Sequence, residues 1–183
     1  VHLYTPVDGI VISLGKLNFF ELKNIGRKIV TICLGTNSTI YYQNDNPICK
    51  NIKEWDVKRW NEVAKTLTFQ ELHVVLIGGK KEAEKYKNTC NNSENSRMEI
   101  LAGRTTIGQS LSILSQSSLV VGADTGMMHC AAGLGIPTLT LFGGTDYKIW
   151  KPFSSESHAI VGKSDCSPCY GKDYAMYCYE RKC

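Results

Sequence analysis

Residues 119–143 read LVVGADTGMMHCAAGLGIPTLTLFG, and the fold class follows from this stretch. Leu119, Val120 and Val121 form a short apolar run of the kind a buried parallel strand requires. Asp124, Thr125 and Gly126 then interrupt it with residues that start helices. A second strand, Thr138 to Phe142, follows the stop signals Gly135 and Pro137. A strand, a polar turn, a helix start and another strand in one short unit indicate an α/β domain built on a parallel sheet.

The same unit offers chemistry. Asp124 or Thr125 can cap the helix through a side-chain oxygen, and Gly126, lacking a Cβ, lets a ligand approach the backbone. The N–H groups of Met127, Met128 and His129 would then face outward. Together with the positive end of the helix dipole they favour an anion such as a diphosphate, and the His129 ring adds a side-chain donor. A well-capped core helix with nothing bound is the alternative reading, and Asp-Thr-Gly alone leaves both open.

Upstream, Lys28 to Leu34 is a β-rich run ending at Gly35-Thr36-Asn37-Ser38, a turn of small polar residues. Ligands of open α/β sheets bind beyond the carboxyl ends of the strands, which is where this turn falls. Residues 39–52 are polar, rich in Asn and Tyr, and broken by Pro47, so they read as an inserted surface loop. From Asp56, a plausible cap, the residues Val57, Trp60, Val63, Ala64 and Leu67 line one helical face. Lys58 and Arg59 fall in its first turn, where cations oppose the helix dipole unless an anion neutralises them. Val74 to Ile77 is a continuous apolar run expected to be buried on both faces, and it stops at Gly78-Gly79. Glu82 opens the next helix. A carboxylate there can accept from two ribose hydroxyls, or simply support the helix N-terminus. Residues 89–99 read as a loop, Ile100 to Gly103 as a short strand, and Ile107, Leu111 and Leu114 as a helix face. Gly143 to Asp146 is a further turn, and His158 to Val161 a last short strand.

Composition sets the outer limits. The chain has 183 residues, 43% hydrophobic and 21% charged, with a net charge of +4. These are ordinary values for a soluble domain; the small positive balance suits an anionic ligand and is too weak to imply nucleic acid. The expected division is an incoming connection over 1–24, an α/β anion-binding domain over 25–165 and a Cys-rich segment over 166–183. That connection holds an apolar stretch at Ile10 to Leu14 and a short helix around Phe19 to Leu22. A cytoplasmic location, with peripheral contact to the inner membrane, is expected.

Several stretches in order resemble the heptosyltransferase family, bacterial enzymes that move heptose from ADP-heptose onto the lipopolysaccharide core. They are Lys58-Arg59-Trp60, Gly78-Gly79 with Glu82, Leu101 to Thr105, Asp124 to His129 and Phe142 to Thr145. The resemblance implies the C-terminal half of a glycosyltransferase-B architecture, a doubly wound Rossmann-like sheet that holds the donor. It implies an inverting, metal-independent transfer that uses no cofactor. Lys58 and His129 would stabilise the departing diphosphate, with Thr36, Asp124, Thr125, Gly126, Met127 and Met128 around it. Glu82 would hold the ribose, and the backbone after Gly103 would lie beside the base. The acceptor is then the lipopolysaccharide core, and the catalytic base belongs to the N-terminal half. A nucleotide-binding module without transferase activity is the rival reading.

Cys166, Cys169, Cys178 and Cys183 are spaced C-x2-C-x8-C-x4-C. Four thiolates could hold zinc tetrahedrally, so a zinc protein organised by this tail is a further alternative; reduced, unligated thiols are the plainer one. The family resemblance accounts for the Cys-Ser-Pro-Cys run without giving it a role. Cys33, Cys49, Cys90 and Cys130 are expected in the core.

Overall fold

The computed structural model describes Phe20, Leu22, residues 26–36, 53–90 and 95–170, and the backbone of 41–43 and 46–49. In chain order the elements are β1 (Ile29–Cys33), β2 (Tyr41–Gln43), β3 (Asn46–Cys49), α1 (Val57–Phe69), β4 (His73–Ile77), α2 (Lys80–Thr89) and β5 (Met98–Ile100). They continue with α3 (Ile107–Ser115), β6 (Leu119–Ala123), α4 (Gly126–Gly133), β7 (Thr138–Phe142), α5 (Tyr147–Trp150) and β8 (Ser157–Val161).

Six strands form one sheet in the order β5-β4-β1-β6-β7-β8, and every neighbouring pair is parallel. The order runs outward from β1 to β4 and β5 on one side, and through β6, β7 and β8 on the other. The winding direction therefore reverses between β1 and β6, which opens a crevice beyond their carboxyl ends. This is the doubly wound, Rossmann-like sheet expected from the sequence.

Period-two alternation divides the core between two faces. Val74 and Leu76 join Val30, Ile32, Trp60, Ala64 and Tyr86 on the α1 and α2 side. Val75 and Ile77 join Cys33, Val120, Ile113, Leu114, Met128 and Ala131 on the α3 and α4 side. All five residues of β4 are buried, as its unbroken apolar run requires. Trp60 is core, packed edge to face against Trp55 with ring centroids 4.7 Å apart. Asp56 does cap α1, accepting from the Lys58 N–H at 2.8 Å.

Two expectations need correction. Residues 39–52 are not a featureless loop, since β2 and β3 pair as an antiparallel hairpin apart from the main sheet, with Pro47 opposite Tyr42. The strand expected at Ile100 to Gly103 lies earlier, at Met98–Ile100, because Leu101 to Arg104 turns instead. Arg104 N–H closes that turn on the Leu101 carbonyl at 3.0 Å, and Gly103 sits at φ +73°. Two residues given to the preceding loop are thus strand.

The stretch Ile10 to Leu14 lies outside the described residues. Of the short helix expected around Phe19 to Leu22, only Phe20 and Leu22 are described, and both dock on α3. The Phe20 N–H donates to Ser112 Oγ at 3.1 Å, Gln116 Nε2 donates to the Phe20 carbonyl at 2.8 Å, and Leu22 is buried in the second core. Among the described residues no helix is long and apolar enough to cross a membrane.

Candidate functional site

A cavity of 510 Å³ opens at the carboxyl ends of β1 and β4. Its walls include Cys33, Gly35 and Thr36 after β1, Gly78 and Gly79 after β4, Glu82 of α2, Thr105 and Ser110 around the start of α3, and Thr125 and Met127 of α4. The sequence-chosen residues Thr36, Glu82, Thr125 and Met127 therefore meet around one space, although up to 91 positions separate them (Thr36 to Met127).

Glu82 is held on both sides. Its Oε2 accepts from the Gly79 N–H at 2.9 Å, which is the helix-supporting contact. The rest of the side chain lies across Gly35, where an added Cβ would stand 2.6 Å from Glu82 Cγ and Cδ. Gly35 is thus the floor that admits the carboxylate. Glu82 lines the cavity, and a carboxylate carries more acceptor sites than the one the Gly79 N–H uses.

The start of α4 differs from expectation in two respects. Thr125 is the N-cap but makes no side-chain cap, and Asp124 does not cap either, its carboxylate being turned to Lys53. The Met128 N–H is not free, since it donates to the Thr125 carbonyl at 3.0 Å, and the Met128 side chain is fully buried. That side chain packs on Gly122, where a Cβ would come within 2.8 Å of its sulfur and 2.9 Å of Cys33 Cβ. The Gly126 and Met127 N–H groups make no hydrogen bond among the described residues, and the space where a Gly126 side chain would project is open. These two amides are the donors α4 presents. His129 is half-buried in the first turn of α4, outside the cavity lining.

Gly103 shapes the wall without lining it. Its N–H donates to the Gly78 carbonyl at 2.8 Å, and a Cβ there would meet Ala83 Cβ at 3.1 Å. The next residue but one, Thr105, reaches the cavity, its Oγ1 2.9 Å from Ser110 Oγ.

The lysines on the cavity lining are Lys80 and Lys81, and neither Lys58 nor Lys53 is among them. Lys58 is exposed in the first turn of α1 and does not line the cavity. Lys53, four residues before the helix, places Nζ 2.8 Å from Asp124 Oδ2, and Asp124 is buried at the end of β6. The two opposite charges attract at contact distance, with Asp124 shielded from solvent. The same ammonium lies 5.4 Å from the centroid of the Trp150 ring and 5.1 Å from that of Tyr170. It also borders a smaller cavity of 170 Å³ with Trp55, Phe142 and Val161. Lys53 escapes pattern reading because it ends a polar stretch with no periodicity; the available signal is a Lys-x-Trp placed directly before an Asp cap. Gly35, Trp150 and Tyr170 escape for the same reason, since only tertiary contact gives them a role.

Cys33 forms part of the cavity wall, and burial, with a smaller contribution from Cys130, pushes its thiol up to about 12. Cys90 and Cys130 are also raised, chiefly by burial. Near the end of the described chain, Cys166 is exposed and Cys169 buried. The Cys169 and Tyr170 N–H groups donate to the Gly144 carbonyl at 2.9 and 2.8 Å, which folds this segment onto the turn after β7. Cys178 and Cys183 lie outside the described residues, and among the described residues no group of three metal-ligating side chains forms.

Known proteins resemble this chain in sequence and in fold. Among curated proteins, the chain is 29% identical over 127 residues to lipooligosaccharide heptosyltransferase 2 of Campylobacter jejuni, covering 66% of this chain and 39% of that protein. The chain spans between 31% and 39% of the length of the curated relatives it matches. Two solved structures share the fold. ADP-heptose lps heptosyltransferase II of E. coli superposes at a TM-score of 0.59 with 23% identity, covering 85% of this chain and 44% of that one. E. coli heptosyltransferase WaaC with ADP superposes at 0.61 with 20% identity, covering 78% and 40%. The family model for glycosyltransferase family 9 (heptosyltransferase) matches residues 15–180, and the chain belongs to that family.

Proposed function

We propose that this chain is the donor-binding half of a glycosyltransferase that moves heptose from ADP-heptose to the lipopolysaccharide core. The observation that carries the reading is the Glu82 carboxylate laid across Gly35 at the switch point, with Thr125 and Met127 at the start of α4 lining the same cavity. In this reading the ribose hydroxyls donate to Glu82, and the base lies toward Thr105 and Ser110. The diphosphate accepts from the Gly126 and Met127 N–H groups. Lys53, rather than Lys58, supplies the neutralising charge.

The chemistry asked of this half is electrostatic. As the bond from the anomeric carbon to the diphosphate breaks, charge grows on the leaving oxygen. Two fixed amides and an ammonium already pinned by Asp124 stabilise it without rearranging. His129 stays available from the same helix turn. The base that deprotonates the acceptor hydroxyl belongs to the other half of the enzyme, so the isolated chain binds donor and does not transfer sugar.

The reading is tested by calorimetry of the purified chain with ADP, UDP and ADP-heptose. ADP and ADP-heptose should bind and UDP should bind more weakly. Lys53→Ala should weaken both adenine ligands, whereas Lys58→Ala should leave them unchanged. Absence of ADP binding, or steady turnover by the chain alone with donor and acceptor, would overturn it.

A further inference from the structure

We propose that Trp150 and Tyr170 form the platform for the sugar ring of the donor, next to the Lys53–Asp124 pair. This inference rests on the nucleotide-sugar reading of the site and extends it to residues outside the nucleotide cavity.

Three observations converge. First, two aromatic rings from different segments lie over one ammonium, at 5.4 and 5.1 Å from ring centroid to Lys53 Nζ. Neither belongs to the core: Trp150 is 42% and Tyr170 40% exposed, while Trp60 is 1% exposed. Second, both rings are placed by backbone contacts. The Trp150 N–H donates to the Asp146 carbonyl at 3.0 Å, in a turn of helix whose Asp146 side chain accepts from the Lys148 N–H at 2.9 Å. Tyr170 is tied through its own N–H to the Gly144 carbonyl, and Ser167 Oγ donates to the Gly143 carbonyl nearby. Both anchors follow β7, so the rings stand at the carboxyl end of the sheet. Third, Asp124, 5% exposed at the end of β6, holds the Lys53 ammonium 2.8 Å from its Oδ2 beside the two rings.

A ring with one apolar C–H face and several hydroxyls matches this arrangement. Its C–H face stacks on aromatic carbon, its hydroxyls donate to a carboxylate, and the phosphate joined to it sits against an ammonium. Thr125 lines the nucleotide cavity and Asp124 precedes it, so a ligand with its nucleotide in that cavity brings the next group to Asp124 and Lys53. The next group in a nucleotide sugar is the sugar.

The test is calorimetric titration of ADP and of ADP-heptose into the parent chain, Trp150→Ala, Tyr170→Ala and Trp150→Phe, with circular dichroism verifying the fold of each. The parent should bind ADP-heptose more tightly than ADP. Each alanine variant should weaken ADP-heptose by about tenfold, the upper end of an aromatic stacking contribution, and leave ADP unchanged. Trp150→Phe should keep most of the affinity. Equal losses for both ligands would mean that the rings serve only to hold Lys53, and no loss for either would mean that they serve neither purpose; both results overturn the platform. A parent that binds ADP no less tightly than ADP-heptose sinks the platform and spares the nucleotide site. A parent that binds neither sinks both.

Discussion

The ammonium of Lys53 stands 2.8 Å from the buried carboxylate of Asp124, joining the segment before α1 to the end of β6. Removing one charge strands the other. Lys53→Met should cost about 2–3 kcal/mol, at or below the range for breaking a buried pair because Lys53 keeps some solvent contact. Asp124→Asn in the Lys53→Met background should recover part of that loss. Urea unfolding of the two variants and the parent measures it, and a single variant as stable as the parent would show the pair to be energetically idle.

Gly35 and Glu82 are coupled sterically. Gly35→Ala places a methyl where Glu82 Cγ and Cδ lie. The side chain can swing away, so the melting temperature should change little, while ADP affinity falls about tenfold through loss of one charged hydrogen-bonding group. Glu82→Ala should show a similar loss, and adding Gly35→Ala to it should do nothing more. Additive losses in this cycle would refute the coupling.

Much of this was legible in the chain itself. The runs around Ile32, Val75, Val120 and Leu139 are apolar enough to require burial, and Gly or polar turn residues mark where they stop, so the sheet and the end that carries the cavity followed. Thr36, Glu82, Thr125 and Met127 meet on the cavity; the turn after β6 suggested Thr125 and Met127, whereas only the family resemblance singled out Thr36 and Glu82. Lys53 was not singled out, since a lysine in a polar loop is unremarkable until folding brings it to Asp124, 71 positions later. The same holds for the caps of α4. Asp-Thr-Gly allows either residue to cap, and the nearby cation turned Asp124 to another task.

Gly122 lies in a central strand where a side chain would ordinarily be favoured. A Cβ there would press on Met128 Sδ at 2.8 Å, Cys33 Cβ at 2.9 Å and the Cys33 carbonyl at 3.3 Å. The last is backbone and cannot move aside. Gly122→Val should therefore destabilise by about 1–3 kcal/mol through overpacking and push α4 away from the sheet. Because α4 carries the Gly126 and Met127 amides, ADP binding should weaken as well. Wild-type stability with wild-type affinity in this variant would contradict the close packing.

Cys33 gives the fold a dependence on alkaline pH. Its thiol is raised from 9.0 to about 12 by burial first and by Cys130 second, so in the folded chain it stays protonated where an unfolded cysteine has ionised. Above pH 9 the unfolded state then binds fewer protons than the folded one, and stability must fall as pH rises. The contribution is complete below pH 9 and is lost progressively toward pH 12, at about 1.4 kcal/mol per pH unit. Tyr86, raised from 10.0 to about 12 chiefly by burial, adds loss of the same sign over the upper part of that window. Urea midpoints should decline between pH 9 and 11 in the parent, and Cys33→Ala should flatten the decline despite a lower starting stability. Iodoacetamide at pH 8.5 should leave Cys33 unmodified in the folded chain and alkylate it in urea. A thiol at this position that reacts as fast folded as unfolded would mean that Cys33 itself is open to solvent, contrary to its 3% exposure.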